Sequence, residues 1–124
     1  MLVIIGIGTD IVKIERIENA CQNPRFLDEY FGISEREFLK KKANMIPSVA
    51  NNFAAKEAFS KALGMGVRGF SLCEVEVLRD ELGKPYVSLR GKAKKLLEER
   101  GVSNIHLTLS NTESDAVAFV ILEG

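Results

Sequence analysis

The stretch from Ser48 to Leu63 limits the possible folds of this chain more than any other. No glycine or proline interrupts it, and Gly64 follows as a natural C′ residue, so it predicts one long helix. At about 100° per residue, Ala54, Ala55, Ala58, Phe59 and Ala62 fall into one continuous apolar band. Alanines bring little side-chain volume. A band of them is filled only when another backbone comes close, which puts this helix at the centre of the fold. Asn52, Lys56 and Ser60 fall at other angles. Glu57 and Lys61 lie one turn apart at the edge of the band.

The opening run Leu2 to Gly8 predicts a strand buried on both faces. Ile11, Ile14, Ile17 and Cys21 have helical spacing, and Arg25 to Tyr30 predicts another short helix ended by Gly32. Ser34 with Glu37 reads as a capping box that opens a helix running to about Lys42. Asn44 to Ser48, with Pro47, reads as a turn. Ser71 to Arg79 and Lys84 to Leu89 alternate as strands around the turn Asp80 to Gly83 and predict a hairpin. Gly91 to Arg100 reads as a helix stopped by Gly101. Asn104 to Ser110 and Asp115 to Leu122 predict a second hairpin. The fold class is α+β: a small, mainly antiparallel sheet built from two hairpins plus an N-terminal strand, packed on a long central helix. At 124 residues, the chain reads as one domain spanning 1–124.

Apolar residues make up 46% and charged residues 27%, a balance that excludes intrinsic disorder. Seventeen basic side chains match seventeen acidic ones, which argues against a general nucleic-acid binder. The two cysteines, Cys21 and Cys73, are too far apart for a CxxC motif and suit a reduced cytoplasmic protein. The apolar opening has no basic flank and meets Asp10, so neither a signal peptide nor a membrane span is expected.

Few residues are placed to carry chemistry. Asp10 sits in an apolar setting, where a carboxylate must be paired, capped or bound to a cation. It suits the N-cap of a following helix or a ligand to a hard metal ion. Glu57 before Lys61 is the favourable order for a helix ion pair. On a nearly apolar helix the same two also suit phosphoryl transfer, a carboxylate for a metal beside an amine for phosphate or proton movement. Gly64-Met65-Gly66-Val67-Arg68-Gly69 spells GxGxxG, but it ends a helix and precedes a strand, the reverse of a dinucleotide fingerprint. Its amides could still approach a phosphate. His106, the only histidine, has no partner for a transition-metal site. Lys40-Lys41-Lys42 and Lys92, Lys94 and Lys95 read as solvated helix faces that could attract a phosphate or an acidic partner.

Several segments together resemble one family. Gly6-Ile7-Gly8-Thr9-Asp10-Ile11-Val12 with Arg16-Ile17-Glu18 looks like the opening of holo-acyl-carrier-protein synthases, the short 4′-phosphopantetheinyl transferases. Phe53-Ala54-Ala55-Lys56-Glu57-Ala58-Phe59-Ser60-Lys61-Ala62 resembles their central helix, and Gly64 to Val67 the loop after it. Gly83-Lys84-Pro85, His106 to Thr112 and Ala116 to Ile121 match in order. The resemblance implies transfer of 4′-phosphopantetheine from coenzyme A to a serine of an apo-acyl carrier protein, with Mg²⁺ as cofactor and 3′,5′-ADP as the other product. It implies that Asp10 and Glu57 hold the metal and that Glu57 and Lys61 are catalytic. It implies a coenzyme A site of Asn52, Lys61, Gly64, Gly66, Val67, Lys84, Pro85, Ser110, Asn111 and Thr112. The acidic carrier protein would dock at Arg16 and Arg25, and the assembly would be a homotrimer with active sites between subunits. The base that takes the serine proton is open between Glu57, Lys61 and a metal-bound water.

The chain departs from this family at three places. Ser110-Asn111-Thr112 stands where many members have Ser-His-Thr, and asparagine cannot accept a proton near neutral pH. Asn52 stands where arginine is frequent, and Met65 where threonine is. The alternative these departures raise is a coenzyme A-binding homologue with lost or weak transferase activity.

Overall fold

A computed structural model describes residues 1–124. The elements run β1 (Ile4–Lys13), α1 (Ile14–Ala20), α2 (Arg25–Tyr30), α3 (Ile33–Lys40), α4 (Ile46–Leu63), β2 (Val75–Arg79), β3 (Pro85–Leu89), α5 (Gly91–Glu99), β4 (Asn104–Asn111) and β5 (Asp115–Glu123). A 3-10 turn, Leu72–Glu74, precedes β2. The architecture is α+β, with both expected hairpins present. The strands form two sheets rather than one. β1 pairs antiparallel with β5, and β5 with β4, giving the order β1-β5-β4; β2 and β3 form a separate ribbon.

Helix α4 lies between the sheets, against β1, β5 and β2. Its alanine band meets two glycines. A methyl group on Gly6 would collide with the Ala62 carbonyl, and one on Gly8 with the Ala58 carbonyl. Strand and helix therefore touch backbone to backbone, the close approach that the alanines require. Ala54, Ala55, Ala58, Phe59 and Ala62 are all buried. Gly64 ends the helix in the left-handed region, at φ 75°, where a side chain would be strained. Pro47 lies in the first turn of α4 rather than in a preceding turn, because a helix start has no use for the missing N–H.

Three further expectations are corrected. β1 continues to Lys13, so Ile11 belongs to the strand and Asp10 is a mid-strand residue, not a helix cap. Nor is β1 buried on both faces. Gly6, Gly8, Asp10 and Val12 face α4, whereas Ile7 and Ile11 are 60% and 65% exposed. Helix α3 begins at Ile33, one residue earlier than a Ser34 cap requires. Its N-cap is Gly32, whose N–H donates to Glu35 Oε1 at 3.1 Å, while the Glu35 N–H donates to Glu76 Oε2 at 2.9 Å. Glu76 occupies the space that a side chain at 32 would fill. A carboxylate from β2 thus does the work of the N-cap side chain that Gly32 lacks.

Candidate active site

Asp10 and Lys61 meet where β1 crosses α4, with Lys61 Nζ 3.0 Å from Asp10 Oδ1. The Asp10 side chain is mostly buried and Lys61 is open to solvent. Almost every neighbour on the second half of α4 is buried, from Ala54 to Leu63, which leaves Glu57 and Lys61 as its polar stripe. Burial holds the Glu57 carboxyl above the usual carboxylate range. The charge on Asp10 adds to this, while Lys61 and Arg16 oppose it. Asp10, Lys61 and Arg16 therefore all act on Glu57.

No group of three or more His, Cys, Asp or Glu side chains gathers to cage a metal. The acidic pair Asp10 and Glu57 fits a different donor set. A hard cation such as Mg²⁺ is commonly held by one or two carboxylates and completed by substrate phosphates and water. The Asp10 charge that holds the Glu57 carboxyl up is one a cation between the two would offset.

The loop after α4 supplies Gly64, Gly66 and Val67, all exposed, three to six residues beyond Lys61. Gly66 also has a left-handed φ of 65°. Beside Lys61, a depression of about 330 Å³ is lined by Ile7, Gly8, Thr9, Lys61 and Phe119. Arg16 lies on α1 and lines a second depression, of about 400 Å³, with Phe26, Tyr30 and Phe53. Arg25 opens α2 and is exposed.

Three other expected groups lie elsewhere on the chain. Lys84 and Pro85 stand at the tip of the β2–β3 ribbon, with Pro85 opposite Arg79. Ser110 and Asn111 end β4 and Thr112 follows it, with Asn111 Oδ1 accepting from Asn51 Nδ2 at 3.2 Å. Nothing in the single chain joins either group to Asp10 and Lys61. Asn52 does not fit its expected role. It is fully buried, its amide donates to Glu35 Oε2 and the Val77 carbonyl, and its oxygen accepts from Arg79 Nη2. No part of the side chain is left for coenzyme A.

Sequence reasoning missed the buried polar layer that Asn52 belongs to. Lys56 and Glu35, both fully buried, form an ion pair at 2.7 Å. Lys56 Nζ also donates to the Leu72 and Val75 carbonyls, so its three protons have three acceptors. Glu35 accepts four hydrogen bonds, from the N–H groups of Gly32 and Val77, from Asn52 and from Lys56. Burial pushes Glu35 up and Lys56 down, against their mutual attraction. Three acceptors on one group and four donors on the other fit the ionised pair at neutral pH. The available signal was a lysine inside a helix with almost no solvent-facing stripe.

Chains with this architecture are known. A family model for the 4′-phosphopantetheinyl transferase superfamily matches residues 6–120, and the chain belongs to that superfamily. Within it, the chain is similar to holo-[acyl-carrier-protein] synthases. That of Clostridium botulinum (strain Alaska E43) is 49% identical over 95% of this chain and 96% of the relative. The crystal structure of the Neisseria meningitidis synthase superposes with a TM-score of 0.93 at 36% identity, covering 98% of this chain and 100% of that one. The Bacillus anthracis synthase in complex with CoA (3′,5′-ADP) superposes at 0.82 with 34% identity, over 98% of this chain and 97% of that one.

Proposed function

We propose that this chain is a holo-[acyl-carrier-protein] synthase acting as one transferase domain over residues 1–124. It moves 4′-phosphopantetheine from coenzyme A to a serine of apo-acyl carrier protein. The observation that carries the reading is the contact of Asp10 on β1 with Lys61 on α4, with Glu57 in the same field, in a chain matched from 6 to 120.

In the reaction the serine oxygen bonds to the phosphorus that bears the pantetheine arm. The bond from that phosphorus to the ADP oxygen breaks, and 3′,5′-ADP leaves. Asp10 and Glu57 would hold Mg²⁺ against the diphosphate, and the ion supplies neutralisation of the charge that grows on the leaving oxygen. Lys61, paired with Asp10, is an ammonium and hence a donor. Its role is to bind a diphosphate oxygen and follow the developing charge. Glu57, beside Lys61 on the polar stripe of α4, is the carboxylate placed to accept the serine proton. The amides and glycines of Gly64, Gly66 and Val67 border the coenzyme next to Lys61. Lys84, Pro85, Ser110, Asn111 and Thr112 complete its site from a neighbouring copy.

A homotrimer supports that arrangement. The sheet face turned away from α4 carries Ile7, Ile11, Val117 and Phe119, all exposed. A continuous apolar face of this kind marks an interaction surface. The acidic carrier protein docks at Arg16 and Arg25, beside the aromatic depression of Phe26, Tyr30 and Phe53. No helix is long and apolar enough to cross a membrane, and both cysteines are unpaired, which suits a reducing compartment. We place the enzyme in the cytoplasm, serving fatty acid biosynthesis. The test is the intact mass of an apo-acyl carrier protein after incubation with the chain, coenzyme A and MgCl2. A gain of one phosphopantetheine arm, absent with EDTA, is the expected result; no gain with several carrier proteins, despite coenzyme A binding, would leave only a binding protein.

A further inference from the structure

We infer that Arg100, just past the end of α5, is a positioning residue for the transfer: it fixes the end of α4 and with it the loop from Gly64 to Val67. The inference rests on the coenzyme A reading above and gives a role to a residue outside that site. Arg100 Nη1 donates to the Leu63 carbonyl at 2.8 Å. Leu63 is the last residue of α4, and the final carbonyls of a helix have no partner within it. A cation there also meets the negative end of the helix dipole. Glu98 and Glu99 precede Arg100 in the chain, yet it forms no ion pair with either. The Leu63 carbonyl is the one partner of its side chain.

Helix α5 holds the loop at both ends. Beyond the loop, Glu74 accepts from the N–H groups of Ser71 and Lys92, both at 2.8 Å. The Arg90 N–H donates to the Glu74 carbonyl at 2.9 Å. Ala93 and Leu97, both buried, anchor α5 itself. Between these fastenings the backbone of residues 64–70 makes only two hydrogen bonds. Gly64 N–H donates to the Lys61 carbonyl at 3.0 Å and Arg68 N–H to the Gly66 carbonyl at 3.1 Å. Gly64, Gly66 and Gly69 all have positive φ, and three glycines leave the backbone many alternative paths. Phe70, packed edge-on against Phe59 at 5.8 Å, closes the stretch. The course of the loop is therefore set at its ends. Without Arg100 the last turn of α4 frays, as helix ends do first. Lys61 lies in that turn, paired with Asp10, so the diphosphate ligand and the loop amides would shift together. Glu57, one turn earlier, stays in the body of the helix.

The experiment compares the unmodified chain with Arg100→Met and Arg100→Lys by amide hydrogen exchange, coenzyme A titration calorimetry and transfer kinetics. Arg100 is exposed, so both variants should fold. Arg100→Met should speed exchange in the last turn of α4 and leave the turns before it protected. It should weaken coenzyme A, in Kd and in KM, by at least about fivefold and leave the KM for the carrier protein within about twofold. Arg100→Lys still places an ammonium near the Leu63 carbonyl and should recover most of the loss. Unchanged exchange, unchanged coenzyme affinity, equal changes in both KM values, or a lysine variant no better than methionine would each overturn the positioning role. The expected changes in exchange and affinity, in a chain that transfers nothing, keep the role of Arg100 and overturn the transferase reading.

Discussion

Replacing Lys56 by methionine tests the buried layer beneath the active site. Methionine keeps most of the length and volume of lysine and removes the charge. The change strands the Glu35 carboxylate, fully buried and left with three of its four donors. It also removes the donor to the Leu72 and Val75 carbonyls. Breaking one side of a buried ion pair costs about 3–5 kcal/mol. Unfolding entropy near 2.1 cal/mol/K per residue amounts to about 0.26 kcal/mol/K for a chain of this length, so Tm should fall by about 12–19 °C. Calorimetry and urea unfolding both read this. The Glu35→Gln/Lys56→Met pair should cost less than the sum of the single changes, by at least about 1.5 kcal/mol, because the neutral amide no longer needs the ammonium. A Tm loss below about 4 °C for Lys56→Met, or additivity within about 0.5 kcal/mol, would refute the reading of the pair as ionised and mutually dependent.

Three further changes probe the frame around that layer. Gly8→Ala places a methyl group against the backbone of Ala58 and Ala62, where nothing flexible can yield. It should destabilise the chain by at least about 1–3 kcal/mol in urea unfolding and lower transfer activity by separating β1 from α4. The raised Glu57 carboxyl fixes a pH dependence. Its contribution to stability is complete below the unfolded value and is lost as pH rises through the raised folded value. Glu57→Gln should therefore raise Tm near pH 8 in metal-free buffer and leave it unchanged near pH 4, while Mg²⁺ should raise Tm of the unmodified chain alone, and only at the higher pH. Phe119→Glu on the exposed sheet face should reduce the particle mass in light scattering to that of the 13.7 kDa chain; an unchanged assembly would move the interface elsewhere.

Local rules carried much of this far. The α4 stop at Gly64, both hairpins and the need for a backbone close against the alanine band follow from helix geometry, alternation and side-chain volume. Asp10 and Lys61, distant in the chain, meet because Gly8 and Ala58 lock β1 and α4 into one register. The buried layer was hidden for a physical reason. Periodicity ranks faces by hydrophobicity, so it treats Lys56 and Asn52 as outward residues even when Glu35 and β2 satisfy them inside. Glu35 lies between Ser34 and Glu37 of the expected capping box and drew no notice, because its partners are long-range. The apolar run Leu2 to Gly8 could not tell burial by its own chain from exposure, which is why Ile7 was misplaced, while Ile11 fell at helical spacing although the strand runs past it.

The most direct measurement of the central claim is the initial rate of carrier-protein modification by intact mass, for the unmodified chain and for Asp10→Ala and Glu57→Ala, at saturating coenzyme A and MgCl2. The account predicts Mg²⁺-dependent transfer by the unmodified chain and losses of at least about 100-fold in both variants, with circular dichroism unchanged. Full activity in folded Asp10→Ala and Glu57→Ala would contradict it.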